Sequence, residues 1–448
     1  MIDRKKRIWL KNPLAIFAEG AARGVVVAGS RIEECVAAGS EPSAPIDEVF
    51  DAGRHVILPG LVNAHHHFYQ TLTRAHPAAL DRELFGWLVA LYPIWARLSP
   101  DAFRIAVRLA LAELLLSGCT TAADHHYLFP AGLDRAIDIE VEEALALGIR
   151  MTVTRGSMNL SRKDGGLPPD SVVQDETTIL KDSERVLNAF HDAEAGSRIQ
   201  IGLAPCSPFS VTPRLMRETA ALARRFDCSL HTHLGETRDE EKFCLATYKC
   251  RPVELLADVG WLERRTWLAH GVHFNAAEIT TLGAHGVGVC HCATSNMVLA
   301  SGICPTRELD AAGSPIGLGV DGSASNDASN MMEALRHALM IGRLRYGAAS
   351  ISHVDVLRWG TEGSARCLGR SDIGKIAAGL QADLALFTLD EPRFSGAHDP
   401  LAALVLCGAH RADRVMVAGD WRVIDGSIVG LDLPKLLEAH ALAAASFR

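Results

Sequence analysis

The chain alternates short apolar runs with amphipathic helical patterns from about residue 56 to residue 345. Helices placed between strands let those strands pair in parallel, because each helix returns the chain to the same end of the sheet. Eight strand–helix units in succession predict an α/β fold in which the strands close into a (β/α)8 TIM barrel. The predicted strands cover residues 56–62, 120–123, 151–154, 199–204, 228–230, 266–269, 287–289 and 316–320.

Both ends of the chain have a different pattern, with short β-rich segments broken by Gly, Pro and Ser. We expect residues 1–55 and 372–430 to pair into one small composite β-sandwich domain beside a barrel domain of residues 56–371. The Ala/Leu-rich stretch at 431–448 is predicted to end the chain as a helix. The β-rich segments lie at 24–28, 32–36, 382–387, 414–418 and 421–424.

Composition argues against several classes of partner. Lys and Arg total 45 against 53 Asp and Glu, and no basic stripe is present, so we expect no nucleic-acid partner. The short run from Arg4 to Arg7 is expected to be a solvated terminus. No signal peptide and no bilayer-spanning run is found, so no membrane partner is expected. Eleven cysteines, an odd number, favour reduced thiols in the cytoplasm.

Potential metal ligands stand where the predicted strands end, and the carboxyl ends of barrel strands converge on one mouth. The first strand ends in three consecutive histidines. Because side chains alternate along an extended chain, His65 and His67 should point to one side and His66 to the other. The fifth strand supplies His231 and His233, and periodicity alone does not decide between them.

The sixth and eighth strands end in His270 and Asp321. A single histidine is more often an ordinary polar residue than a ligand, but joint placement at strand ends favours a metal site. Three imidazoles and one carboxylate, with a water in an open position, suit a borderline divalent ion such as zinc.

Five segments carry a resemblance to one family. They are LPGLVNAHHH at the first strand, HTHLGE at the fifth, LAHGV at the sixth, LGVDGSASN at the eighth and DIGKIAAGLQADLALF near the C-terminus. With them the chain resembles, over essentially its whole length, the amidohydrolase superfamily and its cytosine deaminase and chlorohydrolase branch. The resemblance implies a metal-dependent hydrolase, an aminohydrolase that acts on a C–N bond of a cyclic amidine.

The resemblance also implies roles for individual residues. Glu236 would be the proton shuttle that protonates a ring nitrogen of the substrate, and Asp321 would accept the proton of the attacking water. His270 would orient that water or contact the substrate. The implied metal ligands are His65, His67, His233 and Asp321.

The number of metal ions can be inferred from the segment after the fourth strand. Superfamily members with two metals usually bridge them with a carboxylated lysine there. This chain has IGLAPCSPF, without a lysine. We therefore expect one divalent ion, Zn²⁺, with Fe²⁺ as the alternative.

Substrate choice depends on residues around the expected metal. Gln70 resembles the glutamine with which guanine deaminases hold a purine, and a side-chain amide offers both a donor and an acceptor. Those enzymes also carry an Arg-Phe pair after strand four, which this chain lacks. The segments HHHFYQTLTRAHP, TTAADHHYLFP and APCSPFSVTPRLM resemble most the bacterial 8-oxoguanine deaminases, which form urate and ammonia. Further candidate substrate contacts are Cys206, His126 and Trp87, although Cys206 could equally be an ordinary strand-end thiol.

The resulting prediction is a deaminase of a small purine-like heterocyclic base, with 8-oxoguanine as the first choice. Hydroxy-s-triazines are the runner-up substrates, followed by guanine and by pyrimidines such as isocytosine and cytosine. From a different class, a non-catalytic scaffold relative is the remote alternative, but such proteins typically lose metal ligands that are present here. Family members are frequently homo-oligomers, so a homo-oligomer is expected without a fixed subunit number.

Overall fold

The computed structural model describes residues 6–448. Arg4 and Lys5 of the basic N-terminal run lie outside the described residues. Arg7 begins the first strand, is buried, and donates from Nε to the Glu33 carboxylate at 2.6 Å. The expectation of a solvated run is therefore wrong for Arg7, because strand pairing draws it against the sheet.

Strands and helices are numbered in chain order over the described residues. The strands are β1 (Arg7–Lys11), β2 (Ala15–Ile16), β3 (Gly24–Ala28), β4 (Arg31–Cys35), β5 (Glu48–Asp51), β6 (His55–Pro59), β7 (Leu61–Asn63), β8 (Cys119–His126), β9 (Arg150–Ser157), β10 (Ile199–Pro205), β11 (Ser229–Leu234), β12 (Thr266–His270), β13 (Gly288–His291), β14 (Ile316–Leu318), β15 (Leu384–Thr388), β16 (Arg414–Val417), β17 (Asp420–Ile424) and β18 (Ser427–Ile428). The helices are α1 (Leu84–Trp95), α2 (Pro100–Leu116), α3 (Ala136–Leu147), α4 (Glu176–Phe190), α5 (Pro213–Phe226), α6 (Arg238–Thr247), α7 (Pro252–Asp258), α8 (Ala276–His285), α9 (Ala293–Val298), α10 (Thr306–Ala312), α11 (Met331–Tyr346), α12 (His353–Arg358), α13 (Ser364–Cys367), α14 (Pro400–Leu406) and α15 (Leu433–Ala445).

Eight parallel strands, β7 to β14, follow one another around the barrel in sequence order. The first and last strands meet through backbone hydrogen bonds from Ala64 N to Leu318 O at 2.9 Å and from Asp321 N to His65 O at 3.0 Å. The predicted (β/α)8 barrel is confirmed. Its closure also brings two predicted metal ligands, His65 and Asp321, to adjacent positions at the barrel mouth.

The predicted first strand, residues 56–62, is divided between two sheets. β6 pairs antiparallel with β15 outside the barrel, whereas β7 pairs with β8 inside it. Gly60 lies at the crossing, where any Cβ would collide with the Thr120 side chain. Glycine therefore lets the chain pass from one sheet to the other, a change that an unbroken apolar run does not reveal.

The two ends of the chain form the composite β-sandwich expected from the sequence. Its four-stranded sheet has the order β4-β3-β1-β5, and its six-stranded sheet has the order β18-β17-β16-β15-β6-β2. Apolar residues from both ends, including Leu10, Ile57 and Met416, pack into one cluster between them. The exact domain boundaries stay a prediction. Among residues 6–448, every helix is too short or too polar to cross a membrane.

Candidate active site

The four predicted metal ligands meet at the carboxyl ends of their strands. Asp321 Oδ1 lies 3.3 Å from Nε2 of His65 and 3.3 Å from Nε2 of His67. His67 Nε2 in turn lies 3.2 Å from His233 Nε2. Ligands held about 2.0–2.1 Å from a tetrahedral zinc ion are separated from each other by about 3.3–3.4 Å. These three distances therefore fit pairs of donor atoms that share one ion.

Backbone carbonyls decide which nitrogen of each ring carries a hydrogen. His67 Nδ1 donates to the His125 carbonyl at 2.8 Å, and His233 Nδ1 donates to the Cys206 carbonyl at 2.7 Å. Burial lowers the pKa of His67 to about 3 and that of His233 well below its usual range, so both rings are neutral. Their Nε2 atoms are then two lone pairs facing each other, which repel unless a cation lies between them.

The protonated nitrogen of His65 is likewise decided by a hydrogen bond, in this case to His231. His231 Nδ1 donates to the Trp267 carbonyl at 2.9 Å, so its Nε2 accepts a hydrogen bond from His65 Nδ1 at 2.8 Å. The Nε2 atom of His65 is left as a buried lone pair without a hydrogen-bond partner among residues 6–448. His231 thus supports His65 from behind, while His233 lies with the other donors. Three neutral imidazoles and a carboxylate can hold a divalent metal ion.

Two residues of this cluster have strained backbones. His270 has a φ of 72° and Asp321 a φ of 66°, in the left-handed region that disfavours residues with a Cβ. Such a conformation costs about 1–3 kcal/mol and persists where the surrounding structure forces it, commonly at functional sites. Here the strain turns both side chains into the barrel mouth.

Glu236 and His270 lie beside the predicted metal ligands. His270 Nδ1 bonds Asn296 Oδ1 at 2.9 Å, and its Nε2 lies 3.5 Å from Glu236 Oε2 and 3.8 Å from Asp321 Oδ2. Burial lowers the pKa of His270, but the negative charges around it, that of Glu236 foremost, outweigh burial and raise it to about 9. Burial raises the pKa of Glu236 to about 7, where a carboxyl group can both give and take protons at neutral pH.

A pocket adjoins these residues. Its apolar wall comes from α1, which contributes Leu84, Trp87, Leu88 and Tyr92, and its polar floor is the cluster described above. A largely apolar enclosure with a few converging polar groups is typical of small-molecule sites.

Three of the four predicted substrate contacts, Gln70, Cys206 and Trp87, line this pocket. Gln70 Oε1 accepts a hydrogen bond from Ala324 N at 3.3 Å, and its NH₂ group is a hydrogen-bond donor. Burial raises the pKa of the Cys206 thiol to about 12, which keeps it protonated. Trp87 Nε1 donates to the Ala324 carbonyl at 3.1 Å.

His126, the fourth predicted contact, lies outside the pocket lining. Side chains alternate along β8, so His125 points into the barrel and His126 points out toward the helices. The His126 ring packs against Phe103 and Phe129, with ring centroids 4.5 and 5.0 Å apart. The sequence prediction failed here because the two neighbouring histidines were not assigned to opposite faces. His66 likewise points away from the cluster, as predicted, and bonds Ser329 Oγ at 2.8 Å.

The supporting roles of three residues were not predicted. His231 and Asn296 orient His65 and His270, as described above. Glu240, at the start of α6, accepts hydrogen bonds from Gly235 N at 2.8 Å and Glu236 N at 3.2 Å. A second glutamate four residues after Glu236 was the available sequence signal for this contact.

Comparison with known proteins gives a consistent result. The sequence model of the amidohydrolase family matches residues 56–422. An 8-oxoguanine deaminase from Pseudomonas aeruginosa is 62% identical over 443 residues, which cover 98% of this chain and 99% of that protein. A hydroxydechloroatrazine ethylaminohydrolase from Pseudomonas sp. strain ADP is 36% identical over 405 residues, which cover 88% of this chain and 83% of that protein.

Solved structures agree with the sequence comparison. A crystal structure of the atrazine chlorohydrolase of Arthrobacter aurescens TC1, complexed with zinc, superimposes with a TM-score of 0.90 at 31% identity. The alignment covers 98% of this chain and 100% of that one. With the family match extending over most of its length, the chain belongs to the amidohydrolase family.

Proposed function

We propose that this protein is a zinc-dependent aminohydrolase that converts 8-oxoguanine and water to urate and ammonia. The observation that carries the proposal is the 62% identity to the 8-oxoguanine deaminase of Pseudomonas aeruginosa over nearly the whole of both chains. The pocket supports it, because an apolar wall suits the faces of a flat two-ring base and the polar lining residues can bind its edges.

One zinc ion is proposed to be held by His65, His67, His233 and Asp321. The three lone pairs and the carboxylate that face one another are the donor set that supports this assignment. The lack of a lysine in the segment after β10 supports a single ion. When bound, the ion supplies the Lewis acidity that makes water a nucleophile at neutral pH.

The side chains of this protein then move the protons. Glu236 donates its carboxyl proton to the ring nitrogen beside the amine-bearing carbon, which makes that carbon electrophilic. Asp321 takes a proton from the attacking water and delivers it to the exocyclic amine, which leaves as ammonia. The new hydroxyl group returns its proton to Glu236, so both carboxyl groups end as they began. His270 is held by Asn296 and lies between the carboxyl groups of Glu236 and Asp321. It is proposed to keep both groups in place.

Gln70, Cys206 and Trp87 are proposed to bind the base. The amide NH₂ of Gln70 can donate to a carbonyl oxygen or a ring nitrogen, because its oxygen is engaged by Ala324. The indole of Trp87 and the apolar side chains of α1 exclude water from the reacting face.

A second candidate is release of an amine from a hydroxylated s-triazine. The 36% identity to a hydroxydechloroatrazine ethylaminohydrolase favours it. The two substrates share a flat nitrogen-rich ring but differ in size and in the amine released.

The test is a comparison of kcat/KM for zinc-loaded enzyme with 8-oxoguanine, guanine, isocytosine, cytosine, adenosine and an ethylamino hydroxy-s-triazine. The expected result is the highest value with 8-oxoguanine, with urate and ammonia formed in equal amounts. A higher value for the triazine would overturn the assignment. Protein that remains inactive on all substrates after zinc loading would favour a scaffold. The cytoplasmic location and homo-oligomeric assembly stay predictions.

A further inference from the structure

Three buried polar side chains lie between β8 and α3, near His67. The proposed reaction does not use them. Asp124 and His126 come from the outward face of β8, and Glu140 comes from α3. Each is at most 1% exposed, and one polar atom of each lies within 4.8 Å of those of the other two. Burying such groups together costs free energy unless hydrogen bonds or charge pairing compensate.

Asp124 is bonded to the segment that carries the site. Its Oδ1 accepts a hydrogen bond from Phe68 N at 2.7 Å. Phe68 directly follows His67 and opens the short 3-10 helix Phe68–Thr73, which also carries Gln70 and has no side-chain cap of its own at His67. Asp124 therefore satisfies a free N–H at the start of this helix, as a capping residue does, but from a distant strand.

The residue next to Asp124 holds the same segment through its backbone carbonyl. The His125 carbonyl accepts the hydrogen of His67 Nδ1 at 2.8 Å. Two consecutive residues of one strand thus hold the imidazole of His67 and the backbone that follows it. Displacement of either would rotate His67 Nε2 away from Asp321 and His233.

Glu140 lies beside the Asp124 carboxyl group. Within the described chain, Asp124 Oδ2 and both Glu140 oxygens are buried without a hydrogen-bond donor from outside this pair. Two adjoining buried carboxyl groups cannot both carry a charge, so they share a proton. Burial raises the pKa of Asp124 to about 8, and burial together with Asp124 raises that of Glu140 well above its usual range. Burial lowers the pKa of neighbouring His126 to about 3, so its neutral ring supplies no compensating charge.

We propose that Asp124, held by Glu140, is a positioning residue that sets the places of His67 and Gln70. The shared proton directs Oδ2 of Asp124 toward Glu140 and leaves Oδ1 for the Phe68 N–H. The inference rests on the proposed metal site at His67, but not on the identity of the substrate.

The test measures zinc affinity by competition with a chromophoric chelator, and KM at saturating zinc. Asp124→Ala removes the acceptor for Phe68 N, and loss of such an outer partner is expected to weaken zinc binding about 10- to 100-fold. KM for 8-oxoguanine should rise in the same variant, because Gln70 shares the displaced helix. Asp124→Asn retains an acceptor oxygen and can donate to Glu140, so its zinc affinity is expected to stay near that of the wild type.

Glu143→Gln provides a matched control on the same helix. Glu143 is also buried, but it bonds Arg104 and Arg108 and not the His67 segment. This variant is expected to lower the melting temperature while zinc affinity and KM stay unchanged. Should Asp124→Ala fail to fold, Glu140→Leu tests the same point, because it removes the shared proton and is expected to weaken zinc binding too.

Wild-type zinc affinity in both Asp124→Ala and Glu140→Leu would overturn the inference. An equal loss in Asp124→Asn and Asp124→Ala would also overturn it, since the acceptor oxygen would then be irrelevant. Wild-type protein that binds zinc but does not deaminate 8-oxoguanine would remove the substrate assignment and leave this inference standing.

Discussion

At the scale of single residues, the site depends on which nitrogen of each histidine is left unprotonated. The carbonyls of His125 and Cys206 accept the Nδ1 hydrogens of His67 and His233. The Trp267 carbonyl accepts the Nδ1 hydrogen of His231, whose Nε2 then accepts the Nδ1 hydrogen of His65. Sequence patterns supplied the histidines at the strand ends, but the partners of their Nδ1 atoms come from other strands. The tautomers were therefore not predictable from the sequence.

Two substitutions should separate metal binding from proton transfer. His233→Ala removes one of the facing lone pairs, so metal content and activity are both expected to be lost.

Glu236→Gln keeps the metal donors but cannot donate a carboxyl proton, and kcat should fall about 10²- to 10⁴-fold. Metal analysis by mass spectrometry and steady-state kinetics on the same samples check both. Fast turnover in Glu236→Gln would refute its assigned role.

Gly322 should control the position of Gln70, while its backbone N–H keeps the hydrogen bond to Asp321 Oδ1 at 2.7 Å. A Cβ at Gly322 would occupy the place of the Gln70 amide oxygen. Gly322→Ala is therefore expected to raise KM about tenfold, the equivalent of one hydrogen bond of about 1.4 kcal/mol, with metal content unchanged. The double variant with Gln70→Ala is the control, because KM should rise no further than in Gln70→Ala alone. Additive effects would show that Gly322 acts by another route.

At the scale of secondary-structure elements, the turns that follow the barrel strands place the reacting groups. The turn between β11 and α6 carries Glu236, and Glu240 in the first turn of α6 binds the N–H groups of Gly235 and Glu236. The order of strands and helices was predictable from apolar periodicity. The hydrogen bonds from Gly235 and Glu236 to Glu240 were not predictable, because they depend on how the chain folds back after Leu234.

Glu240→Ala should therefore lower kcat while metal is retained. Two buried N–H groups lose their acceptor, the turn shifts, and Glu236 is expected to lose at least tenfold in proton-transfer efficiency. His233 remains held by the Cys206 carbonyl, so metal content should not change. Asn275→Ala, which removes the N-cap of α8, is the control for a helix-start defect alone. Equal kcat in the wild type and the Glu240 variant would contradict this account.

At the scale of the whole molecule, the barrel is attached to the β-sandwich by a buried arginine. Arg150, at the start of β9, donates from Nε to Asp383 Oδ2 at 2.7 Å and from Nη2 to Gln381 Oε1 at 2.8 Å. Its Nη1 donates to the Gly196 carbonyl at 2.7 Å, within the barrel. Nothing in the residues around Arg150 indicated a partner more than two hundred residues away along the chain.

Arg150→Met should destabilise the folded protein. It leaves the Asp383 carboxylate buried without its cation, a loss that costs about 3–5 kcal/mol in comparable pairs. The free energy of unfolding in urea measures the effect. Arg150→Met combined with Asp383→Asn should recover part of the loss, because the orphaned charge is then absent. A single variant as stable as the wild type would refute the role of this link.

The sequence by itself determined the eight strand–helix units, the composite sandwich and the residue types at the strand ends. These follow from local periodicity, since apolar spacing sets which face of each element is buried. Only the tertiary structure decided that His126 points away from the pocket, that His231 supports His65, and that residues 56–62 divide between two sheets. Each of these features depends on which distant segment of the chain lies opposite a given residue. Packing and barrel closure decide that, and local periodicity does not.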